Sequence, residues 1–275
     1  MGPQLLRSCY QALGFVESPF SLTPDTAYFF PGSRHRDALN HLHFGIASGG
    51  LTMLTGEVGL GKTLLCRFVL RHPPKGVRLA YLLNPDQSYG DLLVSIIHDL
   101  TGVMPTGRGI SALQRELMQV LLQFARNGER VALLVDEAHR LSTKVLEGLR
   151  LLSNLDTEKE KLLCLSFVGQ PELERTLNKR VLRPLAQRIS VRYRLNHLNL
   201  QETRQYILHR IRIGSRMQPP FRPNIPVTTL VYLITRGVPR RINQLCARAL
   251  LAAYVAGWPM VNSRMIWKAA KEIGI

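Results

Sequence analysis

The chain reads as an α/β protein: a five-stranded parallel sheet with helices on both faces, followed by a small all-helical unit. Three observations predict this. Short apolar runs alternate with helical periodicity from residue 51 to residue 195, the pattern of strands buried on both faces between crossover helices. A glycine-rich octapeptide stands where the first of these strands turns into a helix. After Leu198 no apolar strand recurs and the pattern is helical to the end. The expected division is residues 1–198 as an α/β domain, with 1–50 as its N-terminal segment, and 199–275 as a helical domain.

The elements follow in order. Aromatics and prolines cluster in Phe15 to Pro31, and an amphipathic helix is expected over Ser33 to Ala47, with Ser33 as its N-cap. LTMLTG (51–56) is a buried strand ending at glycine, and Lys62 to Leu70 a helix. VRLAYLLN (77–84) is the second strand, with helices over Tyr89 to Leu100 and Ser111 to Asn127 on either side of a Gly/Pro loop. VALLVD (131–136) is the third strand and Ser142 to Leu152 the next helix. LLCLSFVG (162–169) is the fourth strand, and ISVRYRL (189–195) alternates as the fifth. In the C-terminal part, helices are expected over Leu200 to Ile213, 227–236, 239–256 and 262–273, with a proline-rich loop at 218–226. There is no internal repeat and no low-complexity tract.

The octapeptide is Gly56-Glu57-Val58-Gly59-Leu60-Gly61-Lys62-Thr63. It matches GxxxxGK[ST] at every fixed position, directly after a strand and opening a helix. Gly59 and Gly61 let the backbone curl so that successive amides face phosphate oxygens. The helix N-terminus at Lys62, Thr63 and Leu64 adds its dipole. Lys62 reaches the β- and γ-phosphates, and the Thr63 hydroxyl ligates Mg²⁺. VALLVDEAH supplies the second half of such a site. Asp136 stands at the carboxyl end of a buried strand, where ligands bind in open α/β sheets. It is expected to hold Mg²⁺ through water, with Glu137 polarising the attacking water. Gln170, at the tip of the next strand, is placed to sense the γ-phosphate or to position water. Arg183 and Arg188 flank PLAQ, and Arg240 opens a C-terminal helix; an arginine from either place can supply positive charge for phosphoryl transfer. The letters DEAH also name a helicase class, but that class needs two tandem cores and one is expected here; His139 is read as structural.

Charge is lopsided. Lys and Arg number 36 against 19 acids, a net +17. Residues 1–170 carry 17 basic and 15 acidic side chains; residues 171–275 carry 19 and 4. That asymmetry predicts a polyanionic partner for 171–275, such as DNA or another nucleic acid, an anionic membrane surface or an acidic protein, or else partial neutralisation by bound nucleotide and by acidic surfaces of neighbouring subunits. The longest apolar stretch, 249–261, is short of the roughly 20 residues a spanning helix needs, so no transmembrane segment is expected. The N-terminus lacks the pattern of a secretory signal. The four cysteines (Cys9, Cys66, Cys164, Cys246) are far apart, which excludes a zinc ribbon and a disulfide framework and predicts buried, reduced thiols in a cytoplasmic protein.

Taken together, phosphate loop, DE strand, terminal Gln, QRI arginine and GxPR in a helical domain resemble the AAA+ ATPases. LGFVESPFSLTPDTAYFF, LTGEVGLGKTLLCR, LVDEAHRLS, FVGQPELERTL, LRPLAQRISVRYRL and GVPRRINQLCARALLAAY resemble more narrowly the ExeA/GspA-like general secretion pathway group, and within it the ATPases of mannose-sensitive haemagglutinin (MSHA) type IV pilus biogenesis. The resemblance implies a P-loop NTPase core with a helical lid domain, and ATP and Mg²⁺ as cofactors. It makes Lys62 and Thr63 Walker A residues, Asp136 and Glu137 Walker B, Gln170 sensor 1 and Arg240 sensor 2. Arg188 becomes the finger acting on a neighbouring subunit's ATP, with Arg183 its competitor. The segment around Phe20 lines the adenine. It also implies an ATP-dependent homo-oligomer, ring or filament, that assembles a pilus or secretion apparatus, at most peripheral to the inner membrane. DEAH replaces the group's frequent DEAQ. The transmembrane helix and peptidoglycan-binding module of some members are missing, so cell-wall binding is not expected. Two other readings stand beside it: a DNA-binding AAA+ ATPase of the transposition-target or replication-initiator type, and a nucleotide-dependent scaffold with little turnover.

Overall fold

The computed structural model describes residues 3–83, 86–156, 161–216, 223–258 and 260–275, with backbone alone for 3–7. Contacts divide the chain into two compact units. One joins Arg36–Val58 to Leu65–Leu195; the other joins Met1–His35, Gly59–Leu64 and Asn196–Ile275.

The first unit is built on five parallel strands: β1 (Leu51–Gly56), β2 (Val77–Leu82), β3 (Arg130–Val135), β4 (Leu163–Gly169) and β5 (Ile189–Leu195), in the order β2-β3-β4-β1-β5. Helices cover both faces, as expected of strands that are apolar at every position rather than at alternate ones. β1, β4 and most of β3 are buried throughout. β5, at the edge, alternates, exposing Arg192 and Arg194. Register follows from this burial: Leu54 lies opposite Val168, and Leu133 opposite Leu165. The core gathers Leu133, Leu165 and Phe167 with Leu92, Ile96, Leu117 and Leu149. These last come from α4 (Tyr89–Thr101), α5 (Ile110–Arg126) and α6 (Thr143–Leu152). α4 and α6 are capped by Ser88 and Ser142, whose hydroxyls accept the Asp91 and Val145 amides.

Elements match expectation to within one or two residues at most ends. β2 ends at Leu82, short of the expected residue 84, which lies outside the described residues. Three short or amphipathic helices were not expected: α1 (Pro3–Ala12), α7 (Glu172–Leu177) and α8 (Arg183–Arg188). α7 and α8 have six residues each, too short for a periodicity to stand out. α2 spans Ser33–Ala47 and α3 Lys62–Arg71.

In the second unit, α9 (Leu200–Gly214), α10 (Ile225–Thr235), α11 (Pro239–Val255) and α12 (Ser263–Ile273) form an all-helical bundle. Its core joins Tyr206, Ile207, Ile242, Leu245, Ala249 and Ile266 to Phe15 and Phe20 of the N-terminal segment. A buried arginine pins that segment. Arg210 Nε donates to the Pro19 carbonyl at 2.6 Å, one terminal nitrogen donates to Ser21 at 2.9 Å, and the guanidinium lies 4.3 Å from the Tyr28 ring centre. α9 starts with a complete capping box between Asn199 and Glu202. Ser33 departs from its expected role. It is the first residue inside α2 rather than the residue before it, and its hydroxyl donates to Glu202 Oε1 at 2.7 Å. The expected proline-rich loop falls largely on 217–222, outside the described residues. Among the described residues, no helix is long and apolar enough to cross a membrane, and the four cysteines are free and buried.

Candidate functional site

β1 delivers the chain into the glycine-rich loop. Gly56 is buried at the strand end, Glu57 and Val58 are exposed, and Leu60 is buried. Gly59 and Gly61 take φ of +82° and +93°, a region that costs any residue with a Cβ. At Gly59 a Cβ would also fall 2.7 Å from Arg240 Cβ. The loop's carbonyls are engaged from outside. The Arg240 amide donates to Gly59 at 3.1 Å, and His35 Nε2 lies 2.9 Å from the Leu60 carbonyl. Lys62 opens α3 and is 5% exposed; Thr63 and Leu64 follow, partly buried. Arg240 itself is exposed in the first turn of α11.

A second group lies at the carboxyl ends of β3 and β4. Asp136 is fully buried. Its Oδ1 accepts the Glu137 amide at 2.8 Å, and its Oδ2 accepts the Tyr81 hydroxyl at 3.2 Å. Burial, with the thiol of Cys66 and the carboxylate of Asp136 adding to it, pushes the Tyr81 phenol up from its ordinary value, so Tyr81 stays a donor. Glu137 has φ +51°, a left-handed conformation for a non-glycine residue. Such strain persists only where surroundings over-determine it and clusters at functional sites. Its half-exposed carboxylate lies 3.6 Å from His139 Nδ1. His139 in turn meets Gln170: their Nε2 atoms are 3.0 Å apart, and the Gln170 amide donates to Nδ1 at 3.4 Å. One imidazole therefore touches both the expected water-polarising carboxylate and the expected γ-phosphate sensor.

The remaining expected residues have other surroundings. Arg188 ends α8, exposed, with its guanidinium on Ser153 Oγ at 3.1 Å and on Asn154 Oδ1. Arg183 is exposed at the start of the same helix. Phe20 is 3% exposed inside the helical unit's core. Among the described residues, no group of three or more His, Cys, Asp or Glu side chains has metal-binding geometry. A magnesium ion held by one hydroxyl, one carboxylate, phosphates and water needs no such group. Asp136, buried, and Thr63, in the first turn of α3 behind two positive-φ glycines, are oxygen donors of the kind Mg²⁺ takes. Sequence reasoning missed Tyr81 and His35, which carry no motif, and read His139 as structural.

Comparison with known proteins fits this geometry. Residues 46–177 match a family model described as an AAA domain. General secretion pathway protein A of Aeromonas hydrophila is 39% identical over 264 residues, covering 96% of this chain. The chain spans about half of that relative, 48% of its length. Among solved structures, the ORC2 protein of Aeropyrum pernix, in ADPNP–ADP complexes, superposes with a TM-score of 0.65 at 18% identity, over 93% of this chain and 71% of that one. The ORC1 protein of the same organism, in complex with DNA, gives 0.61 at 21%, over 87% and 65%. At those identities the likeness is one of fold. The chain thus has the AAA+ P-loop fold, matches an AAA domain over residues 46–177, and is related by sequence to general secretion pathway protein A.

Proposed function

We propose that this protein binds and hydrolyses ATP and applies the cycle to DNA through its basic C-terminal third. The observation that carries the ATPase reading is the glycine-rich loop at the end of β1. Two of its glycines hold positive φ ahead of a buried lysine that opens a helix, and β3 of the same sheet ends in the buried Asp136 and the strained Glu137. In this reading residues 56–64 cradle the phosphates and Lys62 neutralises their charge. Thr63 and Asp136 hold Mg²⁺, which supplies Lewis-acid stabilisation of the transferring phosphoryl group. Glu137 polarises water and Gln170 senses the γ-phosphate. Arg240 acts in cis, while Arg188, or Arg183, serves the site of a neighbouring copy in a homo-oligomer. Phe20 acts through the packing of the N-terminal segment.

The DNA half is supported by 19 basic against 4 acidic residues in 171–275 and by a fold shared with the ORC1 protein solved with DNA. A second reading keeps the same chemistry and changes the partner. In it the protein is a cytoplasmic, at most membrane-peripheral factor that assembles a secretion or type IV pilus apparatus, of the MSHA kind. The 39% identity to general secretion pathway protein A favours it.

One experiment separates these. ATP hydrolysis is measured for the wild type, Lys62→Ala and Glu137→Gln, with and without duplex DNA, at about 50 and 200 mM salt. Loss of ATP binding in Lys62→Ala is expected. In Glu137→Gln, binding should survive while turnover falls by about 100-fold or more. Unchanged turnover in Glu137→Gln removes its role. Salt-sensitive stimulation by DNA supports the first reading, and basal activity indifferent to DNA supports the second.

A further inference from the structure

The phosphate loop is held by two consecutive carbonyls, and one of the holders is a buried histidine. His35 is 8% exposed. Its Nε2 lies 2.9 Å from the Leu60 carbonyl oxygen and within 3.6 Å of where a Cβ on Gly61 would sit. A carbonyl has no proton to give, so Nε2 carries it and donates. Nδ1 is buried without a hydrogen-bond partner, which suits its being the bare nitrogen of a neutral ring. Burial pushes the imidazole down from its ordinary value, against the opposing pull of the Leu60 carbonyl and of Glu202, while Arg34 adds to the lowering.

The consequence lies in the peptide plane. The Leu60 carbonyl and the Gly61 amide belong to one planar trans unit and point in opposite directions. A donor that captures the carbonyl turns the amide away from itself. The Arg240 amide does the same to the preceding unit through the Gly59 carbonyl. Two successive carbonyls held from behind mean two successive amides, Leu60 and Gly61, turned the other way, which is how an anion-binding nest is made. We propose that His35 is a positioning residue for nucleotide binding, a neutral Nε2–H donor that aims the Gly61 amide at a phosphate oxygen. This rests on the nucleotide reading above.

Affinity for a fluorescent ATP derivative, measured beside the melting temperature without nucleotide, tests it. His35→Leu leaves the Leu60 carbonyl without its donor and should bind about tenfold more weakly, equivalent to about 1.4 kcal/mol. His35→Gln restores an N–H and should come within about threefold of the wild type. If the wild type binds, Lys62→Ala does not and His35→Leu binds as the wild type does, the role of His35 is overturned and the nucleotide reading stands. Equal losses in His35→Leu and His35→Gln also overturn it, since the donor is then not what matters. If the wild type itself fails to bind, the nucleotide reading falls first. Should His35→Leu not fold, ¹⁵N NMR of the wild-type imidazole decides: a neutral Nε2–H tautomer is expected, and an Nδ1–H tautomer or a charged ring at about pH 7 overturns the proposal.

Discussion

His139 is the side chain whose surroundings most exceed what its place in the chain announces. It lies 3.6 Å from Glu137 and is hydrogen-bonded to Gln170 at 3.0 Å, so His139 and Gln170 act as a unit if Gln170 serves hydrolysis. Residues in one hydrogen-bonded network lose energy together, not separately. His139→Ala and Gln170→Ala should each lower turnover by about tenfold. The double variant should be little worse than either, whereas a hundredfold loss would make the two independent. A steady-state double-mutant cycle reads this directly.

At the scale of elements, two contacts fix how the helical unit closes on itself. Gly237 joins α10 to α11 with φ +73°, and a Cβ there would fall 1.9 Å from the Leu198 carbonyl oxygen. The neighbour is backbone, so it cannot swing aside. Gly237→Ala should cost about 2–4 kcal/mol, seen as a lower urea midpoint with an unchanged slope; a shift below half a kcal/mol would mean the loop relaxes freely. The second contact is the start of α9. Burial alone would raise the Glu202 carboxyl, but the Asn199 amide, the Ser33 hydroxyl and Arg34 together hold it below its ordinary value. A carboxyl lowered on folding stabilises above its unfolded value, and that stability is lost as pH falls through the lowered one. The wild type should therefore exceed Glu202→Gln in stability at about pH 7. The gap should close below the ordinary carboxylate range, and chemical denaturation at about pH 7 and about pH 3.5 checks it.

For the molecule as a whole, charge is the property that reaches furthest. α12 exposes Arg264, Lys268 and Lys271, spaced to share a face, and its one acid, Glu272, is paired with Arg248. Reversing the three charges should weaken duplex DNA binding and flatten its dependence on salt by up to about one unit of slope per lost phosphate contact, with basal ATP hydrolysis unchanged. An unaltered affinity would take α12 out of the DNA reading.

Fold class and most strand limits were legible in the chain because strands buried on both faces are largely apolar, and runs as short as Leu-Thr-Met-Leu-Thr-Gly or Val-Ala-Leu-Leu-Val suit a strand better than a helix. The octapeptide at 56–63 and the pair Asp136–Glu137 were legible because glycine spacing and strand-end position are local properties. The strand order β2-β3-β4-β1-β5 was not, since neighbours in a parallel sheet are joined by crossovers that leave no local mark. Nor were the partners of Leu60, Asp136 and Gln170. His35 lies 25 residues from the carbonyl it holds, Tyr81 55 from Asp136, and His139 31 from Gln170. Spacing along a chain encodes periodicity within an element. Which donor meets which buried acceptor is set by how distant elements pack, and only the tertiary structure decides that.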